Sequence, residues 1–420
     1  MVEILSSFIH TIKVFAKPYK SLYFFLLCMF KTCRRMGSPL KKVKREKHDD
    51  GETIDRLSEL PDCVLLHILS LLKTKHAVQT CILSTRWKNL WKRLSNLIVS
   101  SSQFKNLKCF IKFVGQFLSL RDESTILHDF KFQCLSDWEC GMHKKSQIRT
   151  FKYVVSHNIE RIFEYVVSHN VKGLHIDIQC DINYFPPSFF SCHTLTSLNL
   201  SFSDSQETLF PNSLNFPALT NLSLHYLAFR AGDDGRVKPF TLFNRLNSLT
   251  LRYCKVLGKQ NICISSVTLA NLIIEYCNFE LNTPNLCNFV YKGIPLVKQL
   301  CGSKNNLCSV KHVNIDIDDR SLKKSAQTSL ILHNWLVELA NIESLTICSH
   351  TLEILYYVRD KLKVEFLLCN LKSLKVKTDR SSIHDGILEF FLQNSPSAKV
   401  ELIRRLRFWD LQIIRVEDTI

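Results

Sequence analysis

LTSLNLSFSDSQETLFPNSLNFPALTNLSLHY, residues 195–226, states one phrase twice. LTSLNLSF (195–202) and LTNLSLHY (219–226) share the form apolar-x-x-apolar-x-apolar. Upstream, VKGLHIDI (171–178) has the same form; downstream, LNSLTLRY (246–253) and LANLIIEY (269–276) repeat it. The matching leucines, Leu174, Leu198, Leu222, Leu249 and Leu272, are spaced 24, 24, 27 and 23 residues apart. VKHVNIDI (310–317), IESLTICS (342–349) and LKSLKVKT (371–378) are weaker copies, and LCNFVYKG (286–293) is a doubtful one.

That period is the one of leucine-rich repeats. In each phrase alternate side chains face opposite ways, so Leu198 and Leu200 are expected inside and Asn199 outside. One repeat cannot bury its apolar face alone; stacked neighbours make a continuous core and a parallel sheet. FPPSFFSCHTL (185–195) and LFPNSLNFPAL (209–219) fill the return path, where prolines and aromatics suit irregular or short helical turns. The expected product is a curved solenoid with the sheet on its concave face. Only outward strand residues can carry recognition, for example Asn199, Ser223, Thr250 and Glu275, and their mixed chemistry names no ligand.

Ahead of the array, IDRLSELPDCVLLHILSLLKTKHAVQTCILSTRWKNLWKRLSNL (54–97) changes period. Leu57, Leu60, Val64, Leu65, Ile68, Leu69 and Leu72 recur at three- and four-residue steps, one apolar helix face. Pro61 suits a first helical turn, and Asp62 places a negative charge near that turn's N–H groups. A second short helix is expected after Thr74, carrying Ala77, Val78, Cys81 and Ile82. A third is expected from Ser84, a good N-cap, with Trp87, Leu90, Trp91 and Leu94 on one side. So small a core is marginal alone and leans on a neighbour.

LSELPDCVLLHILSLL followed by CILSTRWKNLW resembles the F-box, the segment by which receptors of SCF (cullin–RING) ubiquitin ligases hold a Skp-type adaptor. The resemblance implies an adaptor-binding patch that includes Leu60, Pro61, Leu65, Ile68 and Leu69, with Trp87 and Trp91 holding the third helix. An F-box before irregular leucine-rich repeats resembles the plant F-box/LRR family, including members with an FBD region. FPALTNLSLHYLAF (216–229) and DGILEFFLQNSPSAKVELI (385–403) add to the likeness. The chain stops at Ile420, so a full FBD is expected to be absent or truncated.

The expected fold class is α/β, an all-α three-helix F-box and then the solenoid. The expected organisation is a basic leader (1–50), the F-box (51–97), a linker and repeat cap (98–170), repeats (171–378) and a C-terminal cap (379–420). Within 98–170, residues 104–120 read as a helix and 128–134 as a strand. YVVSHN occurs at 153–158 and again at 165–170. Twelve residues rotate a helix by roughly 1,200°, about 120° out of register, so the copies would face different ways. A tandem duplication is expected, and deleting 153–164 should leave stability nearly unchanged.

Composition narrows the classes. The net charge is +17, but residues 1–50 alone supply eleven Lys/Arg against four Asp/Glu, and the rest is spread thinly. A dense nucleic-acid footprint is absent. Residues 22–30, LYFFLLCMF, are too few to span a bilayer, which needs about 20 apolar residues. Residues 4–15 could lie on a membrane surface as an amphipathic helix. Alternatively Met36 is the true start, followed by a polar, disordered leader. Lys41, Lys42, Lys44 and Arg45 read equally as a nuclear-import cluster or a solvated leader.

None of the seventeen cysteines forms C-x-x-C, and no Cys/His spacing matches a zinc site. Cys254 and Cys277 sit in strand patterns as small hydrophobes, the usage of a reducing, intracellular compartment, nucleus or cytoplasm. Asn199 and Asn221 match the glycosylation pattern by chance, inside strands. No nucleotide, serine-hydrolase or zinc-protease motif occurs. His175 and Asp177 share a strand face, and Asp316, Asp318 and Asp319 read as a solvated loop without enough ligands for a metal.

The reading is a non-catalytic receptor subunit without cofactor or metal. Its partners would be the adaptor, through it cullin and RING subunits, and an unknown target. The alternatives are an adaptor-binding scaffold or decoy, a membrane-associated basic repeat protein, and a small-molecule sensor.

Overall fold

The computed structural model describes residues 60–135, 158–179, 182–202, 208–211, 214–231, 237–258, 261–301, 307–317, 326–357, 368–378, 385–393 and 395–404. The leader with Met36, residues 22–30 and the basic cluster lies outside them, as do Leu57, the first hexapeptide except Asn158, Asp318, Asp319 and residues 405–420. The first of two compact units ends at Gln133 and the second begins at Cys134.

In the first unit, α1 (Asp62–Ser70) opens with Pro61 as N-cap residue, whose carbonyl accepts from the Val64 and Leu65 N–H groups. α2 (Thr74–Gln79) follows and tightens into a 3₁₀ turn at Thr80–Ile82. The expected third α-helix is absent. Residues from Ser84 make i→i+3 turns, Trp87 N–H to Ser84 and Lys88 N–H to Thr85, and the segment ends as a 3₁₀ helix, Leu90–Arg93. Trp87, Leu90, Trp91 and Leu94 are all buried, which the tighter 3₁₀ winding allows over so short a segment.

β1 (Asn96–Ser100) then pairs in parallel with β2 (Asp129–Cys134) across α3 (Leu107–Leu120). Asn106 caps α3 by accepting from the Cys109 N–H at 2.9 Å. Trp91 packs on Phe117 of α3 with centroids 5.3 Å apart, and Phe110 on Phe132 of β2 at 5.6 Å. The small helical core is thereby enlarged by a β–α–β element. Residues 98–133, read from sequence as the start of a linker and cap, fall in this same compact unit. Buried Arg121 donates through Nε and Nη2 to the Leu94 carbonyl at 3.1 and 2.8 Å, tying the end of the helical segment to the end of α3. Burial pushes the Cys134 thiol up to about 12.

The second unit begins with helical residues 158–168 (α4) and runs through β3 (Gly173–Ile178), β4 (Ser197–Phe202), β5 (Asn221–His225), β6 (Ser248–Arg252), β7 (Asn271–Glu275), β8 (Asn288–Gly293), β9 (His312–Ile317), β10 (Ser344–Cys348), β11 (Ser373–Thr378) and β12 (Lys399–Arg404). Each strand pairs in parallel with its neighbours in sequence. The doubtful copy at 286–293 forms a strand like the others. Register is repeat on repeat: Leu174, Leu198, Leu222, Leu249 and Leu272 are Cα partners in turn. These leucines and the row two residues on, from Ile176 through Leu200, Leu224 and Leu251 to Ile274, are buried. β12 ends the sheet largely exposed.

The return path is more ordered than the sequence implied. Thr208–Leu209, Leu227–Phe229 and Lys255–Val256 make a second, three-stranded parallel sheet, and Ile262–Ser265 pairs with Phe279–Asn282. Pro187–Ser191 is a short 3₁₀ turn, and Phe163 of α4 packs on Phe185 and Phe189 at 4.7 and 5.5 Å. Later repeats return through α5 (Ala326–Glu338), α6 (Ser349–Tyr357) and α7 (Asp385–Gln393). Buried Trp335 of α5 donates its indole N–H to the Val297 carbonyl at 2.9 Å and meets Tyr291 edge-on at 4.8 Å. Among the described residues no helix is long and apolar enough to cross a membrane.

Candidate functional site

α1 carries two apolar stripes. Leu65, Leu69 and Leu72 form the inner one and are buried with Ala77, Trp87, Leu90 and Trp91. Pro61, Val64, Ile68 and Leu71 form the outer one, at three- and four-residue steps. Val64 is 39% exposed and Leu71 36%; on the following 3₁₀ turn Ile82 is 80% exposed and Leu83 37%. A helix apolar on both sides calls for burial on both sides. The inner stripe has its partner within the unit, and the outer one faces solvent.

The sequence-derived patch is thus divided by the structure. Leu60 and Ile68 are half-buried and Pro61 is exposed, so all three reach the surface. Leu65 and Leu69, expected in the same patch, are wholly inside, beneath the outer stripe. Trp87 and Trp91 are core residues that hold the 3₁₀ segment. Val64, Leu71, Ile82 and Leu83 were not assigned to the patch from sequence. Their signal was the second stripe itself, masked because both stripes share one run of apolar letters.

The start of α1 is clamped to the end of the helical segment. Asp62 accepts from Arg86 Nε and Nη2 at 3.1 and 2.9 Å and faces Arg93 Nη1 at 3.3 Å, while Arg86 also donates to the Leu60 carbonyl. The Ile98 N–H donates to the hydroxyl of buried Thr74 at 2.9 Å, joining α2 to β1. Lys73, Lys75, Arg86, Lys88, Lys92 and Arg93 rim these elements against Asp62 alone in residues 60–97, so the surface favours an acidic partner.

The second surface is the outward face of the sheet. Asn199, Ser223 and Thr250 stand side by side on β4, β5 and β6, all half-buried. Glu275, two residues further along its strand than that row, pairs with Arg252 at 3.0 Å. The Ser223 hydroxyl lies 3.0 Å from His225 Nε2. Burial, then the nearby Arg252 charge, lower the His225 pKa below its ordinary value. His175 and Asp177 share this outward face. Among the described residues no group of three or more His, Cys, Asp and Glu side chains is placed to hold a metal.

Residues 57–99 match the F-box domain family. The match covers the clamped helical segment and its outer stripe. Similar proteins span most of the chain. An F-box/FBD/LRR-repeat protein of Arabidopsis thaliana is 25% identical over 398 residues, 89% of this chain and 80% of that protein. An FBD-associated F-box protein of the same plant is 27% identical over 375 residues, 86% and 78% of the two chains. The F-box/LRR-repeat protein 13 of that plant is 28% identical over 345 residues, 74% and 69%. The chain carries an F-box and is similar over most of its length to plant F-box/LRR-repeat proteins. Its F-box is the two-striped helical segment, and the nine repeat phrases form the first nine of the ten strands from β3 onward.

Proposed function

We propose that this F-box/LRR-repeat protein is the substrate-recognition subunit of an SCF ubiquitin ligase. The single observation that carries the reading is the outer stripe of α1, continued by Ile82 and Leu83, over a core already complete without it. Pro61, Val64, Ile68, Leu71, Ile82 and Leu83, with Leu60 at their edge, take the Skp-type adaptor, and the basic rim steers it. Leu65, Leu69, Trp87 and Trp91 set the shape of that patch.

The second unit acts as the curved leucine-rich-repeat solenoid, and its outward sheet residues hold a target protein. Chemistry belongs to other subunits. The receptor raises the effective concentration of target lysines near a charged ubiquitin-conjugating enzyme, and no residue of this chain takes part in the transfer. Work inside the cell, in nucleus or cytoplasm, agrees with the free thiols throughout both units.

The test is capture of the full chain by a purified Skp-type adaptor, with the Val64→Asp/Ile82→Asp variant alongside. Both changes are at exposed positions, so the variant should keep the melting temperature and lose capture. Capture that survives both changes, or absence of capture by the folded wild type, overturns the reading.

A further inference from the structure

The sequence from Cys63 to Arg121 carries ten Lys/Arg and no Asp or Glu. Arg86 and Arg93 hold Asp62, and Arg121 is buried on the Leu94 carbonyl, which leaves seven lysines. None of the seven forms an ion pair with a described residue. Five of them follow one another beside the outer stripe. Lys73 and Lys75 come two and four residues after Leu71, the last residue of that stripe on α1. The Lys75 ammonium lies 4.6 Å from the Phe104 ring centroid and donates to the Gln103 carbonyl, joining α2 to the approach of α3. Lys105, Lys108 and Lys112 then recur at three- and four-residue steps, all exposed. The F-box match ends at residue 99, so these last three lie beyond it.

This placement works against folding. α3 has no acidic residue in its first turn, and a cation there opposes the positive end of the helix dipole. Lys108 and Lys112 are like charges four residues apart on one helix face, and they repel. Burial, then the charges of Lys73 and Lys75, hold the His76 pKa below its ordinary value, so the same field is felt within the unit. Asp122, Glu123 and Asp129 come only after the far end of α3, whose 14 residues span about 21 Å. Unpaired lysines kept at such a cost have a use outside the fold.

The surroundings of the five lysines favour a protein as the partner. Nucleic acid calls for arginines that grip phosphates bidentately or for open aromatic rings on which bases stack. None of the five is an arginine, and Phe104 and Phe113 are half-buried against each other with centroids 5.0 Å apart. A lipid surface calls for exposed apolar side chains among the cations. Between Lys105 and Lys112, Leu107 is half-buried and Phe110 and Ile111 are buried. The apolar surface next to the lysines is the outer stripe itself. Charges of one sign beside an apolar patch raise the rate at which an oppositely charged protein finds that patch.

We infer that Lys105, Lys108 and Lys112, with Lys73 and Lys75, form a steering surface, extending beyond the F-box, for an acidic face of the Skp-type adaptor. The inference rests on the ligase reading. The test measures association of purified adaptor with the full chain in three forms. These are the wild type, the α3 triple Lys105→Gln/Lys108→Gln/Lys112→Gln, and a triple of equal charge change in the second unit, Lys172→Gln/Lys298→Gln/Lys399→Gln. All six lysines are exposed, so both triples should keep the wild-type melting temperature. At about 0.01 M salt, where charges act over about 30 Å, the α3 triple should associate about tenfold more slowly and dissociate at the wild-type rate. The second-unit triple should associate nearly as the wild type does. At about 1 M salt the three rates should converge. An α3 triple that associates as fast as the wild type, or two triples slowed equally, overturns the inference and leaves the ligase reading standing. No capture of the adaptor by the folded wild type overturns both.

Discussion

Gly293 shows how one residue can end a pattern. At φ 136° its backbone lies where L side chains are strained, and an added Cβ would stand 3.2 Å from the Tyr276 nitrogen and 3.3 Å from its Cα. Backbone atoms in register on a neighbouring strand cannot give way cheaply. Gly293→Ala should lower stability by roughly 1–3 kcal/mol, read from denaturant unfolding; a loss below about 0.5 kcal/mol would show that the corner relaxes. His225 supplies a pH dependence. Its folded pKa is depressed below 6.5, mainly by burial, so its contribution is present above 6.5 and lost as pH falls below that value. His225→Asn should flatten stability between about pH 7 and pH 5 relative to the wild type; parallel pH profiles would refute the role. The residue scale is also where sequence reading was least complete. Alternation placed Leu198 and Leu200 inside correctly, because a strand has a period of two and one face to bury. Leu65 and Val64 are adjacent apolar letters on a helix, and only the fold tells which one faces in.

At the element scale, period and phrase length made the strands legible, even 286–293, whose middle residues Phe289 and Tyr291 substitute for the repeated leucines. Winding was harder. The Trp87–Leu94 spacing fits a helical face, yet a segment this short closes as 3₁₀ once both indoles are buried. The repeated hexapeptide is a harder case. Sequence symmetry suggested that 153–164 could be deleted at little cost, but α4 buries Ile159, Ile162, Phe163 and Val166. The deletion would join Lys152 to Tyr165, bringing Phe151 to the place of Phe163, Thr150 to that of Ile162 and Gln147 to that of Ile159. The aromatic against Phe185 and Phe189 is replaced in kind, whereas two buried isoleucines become polar. Burial of an isoleucine is worth about 1.5–3 kcal/mol, so the deletion should destabilise the protein by about 3 kcal/mol or more, measured by denaturant unfolding. Restoring Thr150→Ile and Gln147→Ile in the deleted chain should recover most of it. An unchanged midpoint in the deletion would return the earlier expectation.

Within the second unit, the order of β3 to β12 along the chain is also their order of pairing, which is why a period read from letters could give so much of the architecture. The same logic could not locate the unit boundary. FKNLKCFIKFVGQFLSL (104–120) is an amphipathic helix on any reading, and nothing in its letters assigns it to the segment before or after. Trp91 against Phe117 assigns it to the F-box side, giving a first unit with its own core. Two cores of different make-up should unfold as two events. Leu69 is buried at the centre of the first, and Leu224 in the sheet of the second. Each Leu→Ala change should cost about 2–5 kcal/mol within its own unit. Calorimetry of the full chain should therefore show Leu69→Ala moving one transition and Leu224→Ala the other. Were both changes to move a single transition together, the units would be one cooperative fold, and strain at the F-box would be felt by every repeat.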